Sequence, residues 1–262
     1  MDNVRFPSIE NGLTLLEIEG SRGASVLHAL VLDHLLLNDG PALWVDADGH
    51  ATTTSLARLA PSRRLLDRIH VARGFTAYQH YSAICDLSDA VIKSTLSDGQ
   101  PSLIVAPALD AQYRATDTLA DEQASTLLAR ALARLASYAR EYDTAVLLTR
   151  TSDCEFTEPI SRAIDHHLQC EQTRMGPRVI GAEFETLVFP IGDGAYYQTT
   201  IAYWRQLLAA RATQVGVELT TPAPSTATSD GVGTGVTAGG EMVSVTANPL
   251  LDAWAAPSTG GR

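Results

Sequence analysis

The residues most able to do chemistry lie just after the first apolar run of the chain, LTLLEIE at Leu13–Glu19. There the sequence turns through Gly20, Ser21, Arg22, Gly23, Ala24, Ser25, Val26 and Leu27. A strand, a glycine-rich turn and a helix form the setting of a phosphate-binding loop, in which backbone N–H groups cradle the anion. A working loop reads G-x-x-x-x-G-K-[ST]. Gly20 fits the first glycine, but Ser25 stands at the second, Val26 at the lysine and Leu27 at the hydroxyl. Such a turn has neither a lysine for the terminal phosphates nor one of the magnesium ligands. A second candidate is Asp165-His166-His167 with Cys170. Adjacent residues of a strand point to opposite faces, so the two histidines do not converge easily on one metal. Ser25 lacks the G-x-S-x-G elbow of a serine hydrolase. His28 and His34 fall within an apolar helical run and read as packing or surface residues rather than as ligands.

These residues need a scaffold, and the sequence supplies an alternating one. After the first strand come an apolar helix at Ala24–Leu37, stopped by Asn38-Asp39-Gly40-Pro41, and a strand at Ala42–Asp46. A short helix follows at Thr53–Leu59, a strand at Arg68–Ala72 and one long helix at Thr76–Leu96. Ser102–Ala106 and Thr144–Thr149 are continuous apolar runs, the pattern of strands buried on both faces. Between them, Ala120–Tyr142 carries Leu128, Leu132, Leu135 and Ala139 on one stripe, with Arg130, Arg134 and Arg140 off it. Strands alternating with helices predict right-handed crossovers and a parallel sheet. His166–Thr173 and Val179–Phe189, separated by Arg174–Arg178, predict an antiparallel hairpin appended to that sheet. A last helix is expected at Thr199–Ala212, and Tyr196, Tyr197, Tyr203 and Trp204 gather near it as core or as a contact patch.

Composition narrows the class. The chain has 262 residues, 45% hydrophobic and 19% charged, enough for a substantial core. It contains no apolar run of the ~20 residues that a membrane span needs, and no secretory signal pattern at its start. The three cysteines, Cys85, Cys154 and Cys170, suit a reducing cytoplasm. The net charge is −11, and Lys93 is the sole lysine among 19 basic residues. An arginine-rich, acidic composition resembles that of proteins from salt-loving archaea. Acidity argues against strong non-specific nucleic-acid binding, and salt weakens such binding further.

The last fifth of the chain changes character. Fifteen of the 21 residues from Thr220 to Gly240 are Thr, Ser, Gly or Pro. Such a segment predicts a flexible linker at 220–241, between a core domain at 1–219 and a tail at 242–262. In the tail, NPLLDAW brings back Leu250, Leu251 and Trp254. It reads either as a frayed end or as a short motif that docks on a partner or back on the core.

Several segments in order carry a resemblance. GSRGASVL after the first strand, WVDADGH (Trp44–His50) after the second, RIHVARGFTAYQH (Arg68–His80), SLIVAPALDAQYR (Ser102–Arg114) and LARLASYAREYDTAVLLTR (Leu132–Arg150) resemble the ATPase core of the RecA/RadA recombinase superfamily and its KaiC-like relatives. The resemblance covers roughly Leu13 to Trp204 without a preceding DNA-binding domain, as in the short archaeal paralogs. It implies a RecA-like three-layer fold with a mainly parallel central sheet, a C-terminal antiparallel hairpin and a disordered tail. Carried over residue by residue, its ATP-hydrolysing groups fail. The loop lysine maps to Val26, the Walker-B aspartate to Ala106 followed by Pro107, and the polar sensor to Arg150-Thr151. Asp48 stands where the family keeps its water-activating carboxylate, and Arg114 where it often keeps an arginine. Asp48, Arg114 and Arg150 are therefore the candidates for residual nucleotide contacts. The simplest expectation for Arg22 and Arg150 is solvated surface arginine.

The resemblance implies a pseudo-ATPase with no cofactor, weak ATP binding being left open. It implies an accessory factor in DNA recombination or repair, or in a related signalling assembly. The partner would be a protein, either a recombinase or a second copy, with DNA left open and no membrane. The competing reading is an S-adenosylmethionine-dependent methyltransferase of Rossmann-like fold, in which Asp46 or Asp48 would hold the ribose hydroxyls. Of the glycine positions in that fingerprint, Gly23 alone matches.

Overall fold

The computed structural model describes residues 7–18, 23–47, 49, 51, 53–97, 99–114, 119–150, 156–173, 176–181, 185–187 and 200–219. Five strands alternate with helices as the sequence predicts. They are β1 Gly12–Ile18, β2 Ala42–Asp46, β3 Ile69–Arg73, β4 Leu103–Ala106 and β5 Ala145–Thr149. Three further strands follow: β6 His166–Thr173, β7 Gly176–Ile180 and β8 Glu185–Leu187. The helices are α1 Gly23–Leu37, α2 Thr53–Leu59, α3 Arg63–Asp67, α4 Ala77–Cys85, α5 Leu87–Ser97, α6 Asp121–Glu141, α7 Thr157–Ala163 and α8 Thr200–Gln214. All eight strands lie in one sheet of order β3-β2-β4-β5-β1-β6-β7-β8. From β3 to β6 every neighbouring pair is parallel, while β6–β7 and β7–β8 are antiparallel.

The central strands are apolar on both faces because both faces are covered. Along β2, Ala42 and Trp44 enter the core cluster under α1, while Leu43 and Val45 enter the opposite cluster under α6. The same alternation runs through β4 and β5, where Leu103, Val105, Ala145 and Leu147 face α1 and Ile104, Ala106, Val146 and Leu148 face α6. Helices α1, α2, α3 and α8 contribute to the first cluster; α4, α5, α6 and α7 contribute to the second. The result is a helix–sheet–helix sandwich. In α6 the stripe Leu128, Leu132, Leu135 and Ala139 is buried, and Arg130, Arg134 and Arg140 are exposed.

Two expectations need correction. The long helix at Thr76–Leu96 is two helices, α4 and α5, parted at Asp86. The Cys85 carbonyl accepts hydrogen bonds from Tyr138 Oη at 2.9 Å and Ser88 Oγ at 3.4 Å. Side chains thus occupy an acceptor that a continuous helix would use itself. The predicted antiparallel hairpin is present as β6 and β7, joined to the sheet, and only the extent of its second strand needs correction. Its first strand, β6, lies parallel to β1 and extends the central sheet, with Leu15 opposite His167. The expected second strand at Val179–Phe189 is split, β7 ending at Ile180 and β8 starting at Glu185. Helices α3 and α7 are too short to give a clear periodic signal and were not expected.

Candidate functional site at the carboxyl ends of the strands

Ligands of open parallel sheets sit where connections from neighbouring strands leave for opposite faces. Here β1 leads to α1 on one face, while its neighbour β5 leads to α7 on the other. Likewise β2 leads to α2 and its neighbour β4 to α6 on the opposite face. Neighbours β3 and β2 diverge in the same way, through α4 and α2, so the described elements have switch points between β1 and β5, between β2 and β4, and between β3 and β2. The glycine-rich turn and Arg150 belong to the first of these, and the segments after β2 and β4 to the second.

At the first switch point, α1 begins at Gly23, so its first turn is Gly23, Ala24, Ser25 and Val26. These residues have the N–H groups without intrahelical partners, but none carries a positive side chain. Val26 and Leu27 are 3% and 2% exposed and belong to the core beneath α1. The positions assigned to lysine and hydroxyl are thus core positions, not crevice positions. Gly20, Ser21 and Arg22 lie outside the described residues, as do Asp48 and the sensor-position Thr151.

Arg150 is not the solvated arginine of the simplest expectation. Its side chain is 14% exposed, and it pairs with Glu17 of β1. Arg150 Nε donates to Glu17 Oε1 at 2.7 Å, Nη2 donates to the same oxygen, and Nη1 donates to Thr157 Oγ1 at 2.8 Å. His167 Nε2 lies 2.8 Å from the other oxygen, Glu17 Oε2. Burial pushes the Glu17 carboxyl up, but the hydrogen bonds and charges of Arg150 and His167 outweigh it and hold it below the ordinary value. The cluster ties β1, β5 and β6 together. It lies on the α7 face, because Glu17 follows Leu13 and Leu15 in the alternation and these two face that side. His166 and His167 do diverge, His166 Nε2 lying 3.2 Å from the Asn11 carbonyl. Among the described residues no His, Cys, Asp or Glu group is arranged to hold a metal ion.

At the second switch point, β4 ends in Ala106, the position that the resemblance gives to the Walker-B aspartate, and Ala106 is fully buried. The following turn is fastened to β5: Ala108 N donates to Thr149 Oγ1 at 2.8 Å and Leu109 N to the Thr149 carbonyl at 2.9 Å. Ala108 adopts a positive φ of 47°, a conformation held by those two bonds. Arg114 Nη2 lies 3.3 Å from the buried Asp110 Oδ2, so Arg114 stands over its own turn. Gln112 Nε2 donates to the Ala47 carbonyl, joining this turn to the one after β2. Asp46 is buried and lies opposite Arg73 in register, with Arg73 Nε 3.3 Å from its Oδ2. Arg73 Nη2 also donates to the Ala51 carbonyl at 2.8 Å, so this arginine ties the end of β3 to the backbone at Ala51.

Behind that turn, His80 Nδ1 and Tyr113 Oη are 2.8 Å apart and both residues are fully buried. Burial lowers the His80 imidazole to about 4 and raises the Tyr113 hydroxyl. Sequence reasoning missed Glu17, Thr149, Asp110 and the His80–Tyr113 pair. A signal existed for Glu17, a charge inside the apolar run LTLLEIE, and for Thr149, the polar end of AVLLT. None existed for His80 and Tyr113, whose partnership is a matter of tertiary placement. Of the two readings for His28 and His34, packing holds: both are buried, His34 Nε2 lying 3.0 Å from the Ser102 carbonyl. Trp204 is buried in the α1-side core. Tyr196, Tyr197, Leu250, Leu251 and Trp254 lie outside the described residues, and nothing of the Tyr203 side chain is described.

The chain is thus a three-layer α/β protein with one mainly parallel sheet. No protein-family model matches it, and comparison with curated proteins gives no match. Among the described residues, no helix is long and apolar enough to cross a membrane.

Proposed function

We propose that the chain is a catalytically inert RecA/RadA-like protein acting in the cytoplasm as an accessory or regulatory factor in DNA recombination or repair. It works by binding a protein partner, a recombinase or a second copy, with DNA as a further candidate. The observation that carries this reading is the first turn of α1. It opens on a switch-point crevice, where a phosphate would sit, yet it offers no cation, and Val26 and Leu27 are packed into the core. Phosphoryl transfer is catalysed by positioning and by cations that neutralise developing charge. With Ala106 at the Walker-B position as well, the fold keeps its architecture without the groups that use it.

The test is ATP hydrolysis by the full chain in concentrated potassium chloride with magnesium. The expected rate equals the buffer blank. A magnesium-dependent turnover that Asp48→Ala abolishes would overturn the reading. Calorimetric titration with S-adenosylmethionine in the same buffer addresses the methyltransferase alternative, for which saturable binding is the required result.

A further inference from the structure

We draw no further inference here: the strongest candidate, the outer edge of strand β3 with the exposed side chains of Phe75 and Tyr78 beside it, carries none because nothing in the structure shows what covers it.

Discussion

At the residue scale, the buried His80–Tyr113 pair makes a pH prediction with a definite sign. Burial holds the folded imidazole at about 4, below its ordinary 6.5. The unfolded chain therefore takes up a proton at a pH where the native state refuses it. Stability from this residue is complete above about pH 6.5 and is lost progressively down to about pH 4, by an amount on the order of 3 kcal/mol. Urea unfolding of the natural protein and of His80→Gln at pH 7 and pH 4.5 isolates it. The variant is less stable throughout, but its stability should fall less between the two pH values. A parallel fall in both proteins would remove His80 as the cause. Val26 makes the second prediction. Placing a lysine at position 26 by Val26→Lys, where the resemblance puts the loop lysine, should not create an ATPase. It should cost several kcal/mol, roughly 3–5, because an ammonium would enter the core beneath α1. Thermal unfolding reads the loss, and a stable variant that hydrolyses ATP would show that position 26 faces the crevice.

At the element scale, the β3–α4 connection is tightly packed at Gly74. A Cβ built there would lie 2.5 Å from both the Cα and the N of His80, which are backbone atoms that cannot rotate away. Gly74 N also donates to the Asp46 carbonyl at 3.1 Å, so the turn cannot drift outward without losing that bond. Gly74→Ala is expected to cost about 2 kcal/mol or more. It should also disturb the His80–Tyr113 contact, seen as an altered pH dependence of unfolding. A melting temperature within a degree or so of the natural protein would mean that α4 can shift freely. The break between α4 and α5 belongs to this scale too. Helical periodicity runs on through Thr76–Leu96 in the sequence, and nothing local marks Asp86 as a stop. The Tyr138 hydroxyl arrives from α6, 53 positions away, and claims the Cys85 carbonyl.

At the scale of the whole molecule, the tail makes the last prediction. Thr220–Gly240 is too rich in Ser, Thr, Gly and Pro to bury a core. Truncation at Thr220 should leave the melting temperature unchanged. If NPLLDAW binds a partner, a pull-down with Trp254→Ala should lose that partner while the core stays folded. A melting temperature lowered by many degrees on truncation would mean that the tail docks on the core. Identical pull-downs from the two baits would move the contact to the globular surface. There Phe75 and Tyr78, 78% and 56% exposed beside edge strand β3, are the first residues to substitute.

What the sequence settles by itself is the class. Doubly apolar runs such as SLIVA and TAVLLT need helices on both faces, and the alternation of strands with helices makes a parallel sheet the economical solution. It also shows that the glycine-rich turn lacks lysine and hydroxyl, since that is a matter of residue type at fixed spacing. The tertiary structure decides the rest. Strand order is not local information, so only the fold shows that β1 lies between β5 and β6, and hence that the ends of β1 and β5 share a crevice. The same order brings Glu17 against Arg150 across 133 positions. No propensity or period could have paired those residues, because the attraction between two charges acts through the distance that folding sets, not through the distance along the chain.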